Sequence, residues 1–141
     1  MHAFLDANVL FTAAITPSGV SRALVETSRR GLCRAHTSRF AADEALRNIA
    51  LKAPEREADF DSLLTSVAVV AEADARLSAW ARSVVAAKDA PILAAAVAAR
   101  SDLLITGDRR HFGAHFGSRL HGVRVEPSRE ALRAILVNHR S

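Results

Sequence analysis

The sequence predicts a single α/β domain, residues 1–141, with helices on both faces of a mainly parallel sheet of about five strands. Two observations carry this prediction. Short apolar runs alternate with helical patterns along the whole chain, which is typical of parallel sheets. The chain has 141 residues and is 50% hydrophobic, so it can bury one core. No internal repeat or low-complexity linker divides it.

The predicted elements begin with a strand at 2–5. Helices are predicted at 8–15 and 20–30, and Gly31 is the expected stop of the second one. Ser38 is the expected N-cap of a helix that Pro54 closes. The other strands are predicted at 32–36, 66–71, 102–107 and 123–125, and the other helices at 39–52, 55–64, 74–87, 90–100 and 129–138.

Four acids occupy positions that suggest chemistry. Asp6 and Asp108 directly follow predicted strands, Asp89 opens a helix, and Glu44 lies on a helix face. In an open parallel sheet, ligands bind outside the carboxyl ends of the strands. Carboxylates gathered there repel one another unless a cation neutralises them. Oxygen ligands suit a hard divalent ion such as Mg²⁺ or Mn²⁺, so the pattern favours a metal-dependent phosphoryl-transfer site.

Three of these acids also have a purely structural interpretation. Asp6 could begin a loop or cap the following helix. Asp89 precedes Pro91 and would be a good N-cap. Asp108 follows Gly107 and could be a turn residue. Their placement on strand ends and helix starts favours the functional interpretation in each case.

Glu44 is placed by helical periodicity. On the predicted helix at 39–52 it shares a stripe with Phe40 and Leu51, and we expect this stripe to face inward. Asp43 points about 100° away on the same helix. Glu44 rather than Asp43 is therefore expected to complete the acidic pocket.

The charge balance indicates a polyanionic partner. The chain has 19 Lys and Arg against 15 Asp and Glu, a net charge of +4. If four acids share one pocket, the surface around it is strongly basic, which attracts nucleic acid. The alternative is that the arginines belong to ordinary solvated helices. With six Phe and one Trp, stacking of bases on aromatic side chains is not expected to be the main binding mode.

Cysteine content and hydropathy indicate the cellular compartment. The single cysteine, Cys33, excludes an intramolecular disulfide and a cysteine-based zinc cluster, and we expect it to be a buried thiol. The chain starts on a strand, so no signal peptide is expected. No apolar run reaches the roughly 18 residues of a spanning helix, so no membrane association is expected. The expected compartment is the cytoplasm.

Four segments resemble the motifs of the PIN-domain family, in order and on matching elements. Each places an acid where that family has one, and with the intervals between them the resemblance extends over essentially the whole chain. The segments are 4–10 with Asp6 and Asn8, 43–49 with Glu44, 88–96 with Asp89, and 104–112 with Thr106 and Asp108.

The resemblance implies a metal-dependent ribonuclease with a three-layer α/β/α PIN-like fold, similar to the VapC-type toxins of bacterial toxin–antitoxin pairs. Such proteins are usually dimeric, bind a cognate antitoxin, and cleave RNA with Mg²⁺ or Mn²⁺ to leave a 5′-phosphate and a 3′-hydroxyl. Carboxylate-bound metal ions stabilise the charge that develops on the phosphate and activate a water. That chemistry requires no nucleophilic side chain, and the sequence offers no convincing one.

The resemblance also assigns roles to residues. Asn8 and Thr106 are expected to orient water or a carboxylate by hydrogen bonds. The residues implied as catalytic groups and metal ligands, directly or through water, are Asp6, Glu44, Asp89 and Asp108. Basic residues beside the motifs are weaker candidates for RNA contacts, because exposed arginines are as often simply solvated; they are Arg39, Arg47, Lys88, Arg109 and Arg110.

Two other features, the His-Phe pairs and the single tryptophan, are best interpreted as structural. His111 and His115 are each followed by a phenylalanine. A zinc site would need a further ligand, and none is evident, so packing of Phe112 and Phe116 is the preferred interpretation. Trp80 lies on an amphipathic helix and is expected in the core, with a dimer contact left open.

Other functions remain as alternatives. A PIN-like nuclease could process RNA without a toxin role, or the domain could be a catalytically silent RNA-binding module, although the presence of all four acids argues against the latter. A haloacid-dehalogenase-type phosphatase would need a second acid where Asn8 stands. A receiver domain would need an acid after the third strand, which ends at Ala71 instead.

Overall fold

The computed structural model describes residues 1–140, which form a central sheet flanked by helices. The strands are β1 (His2–Leu5), β2 (Arg34–Ser38), β3 (Ala68–Val70), β4 (Leu103–Ile105), β5 (Arg119–Leu120) and β6 (Val123–Glu126). The α-helices are α1 (Ala7–Ile15), α2 (Val20–Arg29), α3 (Arg39–Lys52), α4 (Glu57–Leu64), α5 (Ala75–Arg82), α6 (Ala90–Ala98), α7 (Arg109–Phe112) and α8 (Ser128–Arg140). Short 3₁₀ turns lie at Pro54–Arg56 and Gly113–His115.

The sheet confirms the predicted three-layer α/β class with mostly parallel strands. Its strand order is β3-β2-β1-β4-β6-β5, and only β5, which pairs with β6, runs antiparallel. From β1 the chain first builds outward through β2 and β3, and later returns to β4 on the other side of β1. The crevice between β1 and β4 is therefore the point where the topology reverses, where ligands bind in folds of this kind.

The core lies where the central strands meet their covering helices. Phe4 and the three residues of β4 are at most 1% exposed. The helix α6 contacts β2 and β4 through a run of fully buried small residues, Ala94–Ala96. Alanines at these positions let α6 approach the sheet closely, which holds the start of this helix near the ends of the strands.

The helix α3 and strand β1 have the predicted boundaries, and Ser38 accepts a 3.2 Å hydrogen bond from Ala41 N as the expected cap. The second strand begins two residues later than predicted. Gly31 has φ +77° and Leu32 N donates to Thr27 O at 2.8 Å, so the residues before β2 close a Schellman turn at the end of α2.

The sheet has six strands where the sequence predicted about five. The additional strand, Arg119–Leu120, has two residues and pairs with β6 through a tight turn. His121 and Gly122 occupy that turn with φ values of 48° and 82°, as two-residue hairpins require. A strand of two residues carries no periodic pattern, so its hydrophobicity could not reveal it.

The predicted helix at 74–87 is shorter in the structure and ends at Arg82. Ser83 donates its hydroxyl to Trp80 O at 2.5 Å, and such side-chain bonds compete with continued helix. No helix within residues 1–140 is long and apolar enough to cross a membrane.

Candidate metal centre

The parallel pairing of β1 and β4 brings distant polar residues together at one sheet edge. Leu5 lies opposite Ile105, and Asp6 N donates to Ile105 O at 3.0 Å. The residues that follow the two strands, Asp6 and Thr106, therefore lie side by side. The placement of both at the carboxyl edge follows directly from the strand register.

Asp6 is only 5% exposed and accepts three hydrogen bonds. Its Oδ1 accepts from Ala7 N at 2.6 Å, and its Oδ2 accepts from Thr106 Oγ1 at 2.7 Å and from Asn8 Nδ2 at 3.1 Å. The bond from Ala7 shows that Asp6 caps α1, so its structural and proposed functional roles coexist.

Burial raises the pKa of Asp6 to about 6, although the hydrogen bonds from Thr106 and Ala7 lower it. The negative charges of Glu44 and Asp89 raise that pKa further. Both carboxylates therefore lie close enough to oppose ionisation of Asp6. Crowding of like charges is the expected property of a site built for a cation.

Asn8 and Thr106 connect the strand ends by further hydrogen bonds. Asn8 Oδ1 accepts from Gly107 N at 2.8 Å, and Thr106 Oγ1 accepts from Asp108 N at 3.1 Å. A Cβ at Gly107 would stand 3.3 Å from Asn8 Oδ1, so glycine permits this close approach. The network fixes the orientation of the Asp6 carboxylate and the path of the chain to Asp108.

Asp89 stands at the start of α6 but makes no capping hydrogen bond with its side chain, so the capping interpretation is wrong. The side chain is 10% exposed, and Lys88 Nζ lies 4.0 Å from Oδ1. Its Oδ2 is buried without a hydrogen-bond partner among the described residues. Burial raises the pKa of this carboxyl, against the positive charges of Lys88 and His111.

Asp108 caps α7 rather than serving only as a turn residue. Its Oδ1 accepts from His111 N at 3.0 Å, and its Oδ2 lies 2.7 Å from His111 Nδ1. Partial burial raises the pKa of Asp108, but the hydrogen bonds from the His111 side chain and backbone, with the charges of His111 and Lys88, lower it below its ordinary value.

Glu44 is half-buried and close enough to Asp6 to raise its pKa. The predicted inward-facing stripe of Phe40, Glu44 and Leu51 is nevertheless wrong, because Phe40 is 36% exposed and Leu51 is 81% exposed. The buried face of α3 is formed by Ala41, Ala42, Ala45 and Ile49. Small alanines carried too weak a hydrophobic signal to outweigh two large exposed apolar residues.

The sequence analysis did not predict that His111 would lie among the acids. Its Nδ1 lies 3.5 Å from Asp89 Oδ2 as well as 2.7 Å from Asp108 Oδ2. One donor atom from each of these three residues lies within 4.8 Å of the other two. The available signal was the spacing from Asp108, because a side chain three residues after an N-cap lies on the same face of the helix.

Phe112 is fully buried, as the packing interpretation of the His-Phe pairs predicted. The buried thiol of Cys33 is also confirmed, with Sγ 3.2 Å from Thr27 Oγ1.

Trp80 is half-buried and contacts the ring of His121 edge-on, with 4.0 Å between the ring centroids. Its placement is intermediate between core and surface.

The donor set fits a divalent cation. A buried carboxylate oxygen without a partner is costly, and a cation is the group that would satisfy Asp89 Oδ2. Carboxylates dominate the site, and such oxygens suit Mg²⁺ and Mn²⁺.

The five basic residues that the sequence suggested for RNA contacts are all exposed. They are Arg39 and Arg47 on α3, Lys88 beside Asp89, and Arg109 and Arg110 on α7.

Comparison with known proteins agrees with this fold. The model of a family described as the PIN domain matches residues 2–110. One similar solved structure is that of VapBC2 from Rickettsia felis bound to a DNA fragment from their promoter. The match has a TM-score of 0.66 and 14% identity, and covers 90% of this chain and 98% of that chain. At this identity the likeness shows the fold. None of the curated proteins matches the sequence.

Proposed function

This chain belongs to the PIN-domain family, and we propose that it is a metal-dependent endoribonuclease that hydrolyses RNA phosphodiester bonds. The observation that carries the proposal is the buried Oδ2 of Asp89, which has no hydrogen-bond partner among the described residues. It lies beside His111 and near Asp108 and Asp6. A cation at this place would satisfy the oxygen and relieve the repulsion among the acids.

The proposed ligands of Mg²⁺ or Mn²⁺ are Asp6, Asp89 and Asp108, directly or through water, with Glu44 completing the negative pocket. When bound, the ion would stabilise charge on the phosphate and make a bound water more acidic. The protein's own part is to hold the carboxylates rigidly. Thr106 and Asn8 do so for Asp6 through bonds of 2.7 and 3.1 Å.

Water is the proposed nucleophile. The Thr106 hydroxyl, which contacts Asp6, already donates to Asp6 Oδ2 and accepts from Asp108 N. It is therefore committed to positioning the carboxylate. Attack by water would leave a 5′-phosphate and a 3′-hydroxyl on the two products.

RNA is the proposed substrate because exposed basic residues adjoin the acids and form a basic rim beside the pocket. Arg109 and Arg110 are exposed at the start of α7, immediately after Asp108. Lys88 is exposed beside Asp89. Positive side chains at the rim would hold a polyanion over the pocket while leaving the cation site free.

The nuclease proposal is tested with end-labelled single-stranded RNA in Mg²⁺, in Mn²⁺ and in EDTA, beside a small phosphate ester. We expect cleavage of RNA in either metal, none in EDTA, and negligible hydrolysis of the ester. Cleavage that persists undiminished in EDTA would overturn the metal dependence. Hydrolysis of the ester alone would instead indicate a phosphatase.

We further propose that the enzyme is the toxin of a VapBC-type pair, acting in the cytoplasm as a homodimer controlled by a cognate antitoxin protein. The support is the fold shared with VapBC2 and the basic rim, which an acidic antitoxin segment could bind. A cation from the antitoxin could enter the acidic pocket in place of the metal.

The toxin role is tested by expressing the chain alone and counting viable cells. We expect growth arrest that is relieved by the product of the neighbouring gene, which should co-purify with the chain. Full growth with nuclease activity confirmed in the same lysate would indicate an RNA-processing enzyme. Absence of cleavage with intact RNA binding would indicate a silent module.

A further inference from the structure

His111 is held in contact with two of the proposed metal ligands by its own backbone and by its neighbour. Its backbone N–H donates to Asp108 Oδ1 at 3.0 Å. The adjoining Phe112 is fully buried and anchors the short helix α7 in the core. The imidazole is therefore fixed at the mouth of the acidic pocket and is not a freely rotating surface group.

The position of the ring nitrogen corresponds to a shared ligand. His111 Nδ1 lies 2.7 Å from Asp108 Oδ2 and 3.5 Å from Asp89 Oδ2. Ligands at right angles on an ion with bonds of 2.0–2.1 Å lie about 3 Å apart. The separations of His111 Nδ1 from Asp108 Oδ2 and from Asp89 Oδ2, 2.7 and 3.5 Å, lie just below and just above this expected distance.

A hydrogen bond to Asp108 does not by itself explain this arrangement. That bond leaves Asp89 Oδ2 buried and without a hydrogen-bond partner among residues 1–140. The Asp89 side chain as a whole is nine-tenths buried. A cation placed among the three donor atoms would satisfy Asp89, Asp108 and His111 together. The unpartnered oxygen thus points independently to a ligand at this position.

We propose that His111 Nδ1 is a direct ligand of the cation, together with Asp89 and Asp108, and that this site prefers a transition-metal ion such as Mn²⁺ to Mg²⁺. The inference rests on the proposed metal site and adds a nitrogen to it. Imidazole binds transition metals well, whereas Mg²⁺ prefers oxygen ligands and retains its waters. A site of two carboxylates and one imidazole therefore discriminates between the two ions.

The test is pulsed electron paramagnetic resonance of Mn²⁺ bound to the full chain, which detects a directly bound ¹⁴N nucleus. We compare the wild type with His111→Gln and with the matched control His115→Gln, four residues further along. We expect nitrogen coupling in the wild type and in His115→Gln, and its loss in His111→Gln. The Mn²⁺ affinity of His111→Gln should fall about tenfold or more, with a smaller loss for Mg²⁺.

Three results would overturn the inference: no binding of Mn²⁺ by the wild type, bound Mn²⁺ without nitrogen coupling, or coupling retained in His111→Gln. The second result would mean that His111 only positions Asp108, a role that the amide of glutamine could also fill. Cleavage of RNA in Mg²⁺ is measured on the same preparations. Its presence beside a negative resonance result would preserve the nuclease proposal while removing the nitrogen ligand.

Discussion

The Thr106 hydroxyl donates a 2.7 Å hydrogen bond to the carboxylate of Asp6, which is 100 residues away in the chain. The bond exists because Leu5 and Ile105 are paired in the sheet, so the next residue on each strand emerges at the same edge. The geometry of the candidate site is thus fixed by the most deeply buried part of the protein.

Thr106→Val should destabilise the protein and disturb the site. The change removes the donor to Asp6 Oδ2 and the acceptor for Asp108 N while keeping the shape of the side chain. We expect a loss of about 1–3 kcal/mol in the free energy of unfolding, because buried polar partners are left unsatisfied. Urea unfolding measures it, with Thr106→Ser as the control that keeps the hydroxyl. Equal stability of the valine variant and the wild type would contradict the assigned bond.

Asp6→Asn should stabilise the metal-free protein at neutral pH, and the gain should depend on pH. Burial raises the pKa of Asp6 from 3.8 to about 6, so ionising this group costs stability in the folded state only. Wild-type stability should therefore fall between about pH 4 and pH 6 and stay level above. Asparagine caps a helix as well as aspartate and removes the penalty, which is at most about 3 kcal/mol.

The measurement is urea unfolding of both proteins in EDTA from pH 4.5 to pH 7.5. The advantage of the asparagine variant should grow as the pH rises and level off near neutrality. An advantage that is independent of pH, or largest at the acid end, would mean that Asp6 does not titrate as its surroundings indicate.

Asp89→Asn should leave the metal-free protein as stable as the wild type, or more stable. The side chain makes no capping bond at the start of α6, and its charge opposes ionisation of Asp6. Addition of Mn²⁺ should raise the melting temperature of the wild type through preferential binding to the folded state, and that of the variant much less. Thermal unfolding with and without the ion measures both effects. A marked loss of stability without metal would instead indicate a structural role.

The double variant Arg109→Ala and Arg110→Ala should bind RNA more weakly. Each lost phosphate contact should reduce the slope of log affinity against log salt concentration by about 0.7. The matched control changes two other exposed arginines, Arg30 at the C-terminal end of α2 and Arg34 at the start of β2. Arg34 pairs with His2, so it lies at the opposite end of the parallel strands from Asp6. Fluorescence anisotropy in EDTA, where the RNA stays intact, measures the slopes. Equal losses in both doubles would locate RNA binding elsewhere.

Much of the fold and of the acidic edge could be predicted because strand ends are visible in the sequence. Asp6 and Asp108 each follow a short apolar run, and parallel strands bring such ends to one edge. The exact boundaries of α3 followed from Ser38 as its cap and Pro54 beyond its end. These signals are local, so a single sequence contains them.

The features that escaped prediction depend on tertiary contacts. His111 approaches Asp89 only because α6 and α7 start at the same edge of the sheet. No spacing in the sequence encodes the distance between these two helix starts. The strand Arg119–Leu120 exists because β6 offers it an edge to pair with. The large residues Phe40 and Leu51 suggested the wrong buried face of α3, since alanines fill the space against the neighbouring helices.

The most direct measurement is the rate of single-turnover cleavage of labelled RNA in saturating Mn²⁺ by Asp89→Asn and Glu44→Gln. Their controls are Asp61→Asn and Asp43→Asn, each of which removes one exposed carboxylate, on α4 and α3 respectively. We expect the two site variants to cleave about 100-fold more slowly than the wild type or worse, and the two controls to cleave at the wild-type rate. Wild-type cleavage by Asp89→Asn, in a protein shown to be folded, would contradict a metal-dependent nuclease centre at these carboxylates.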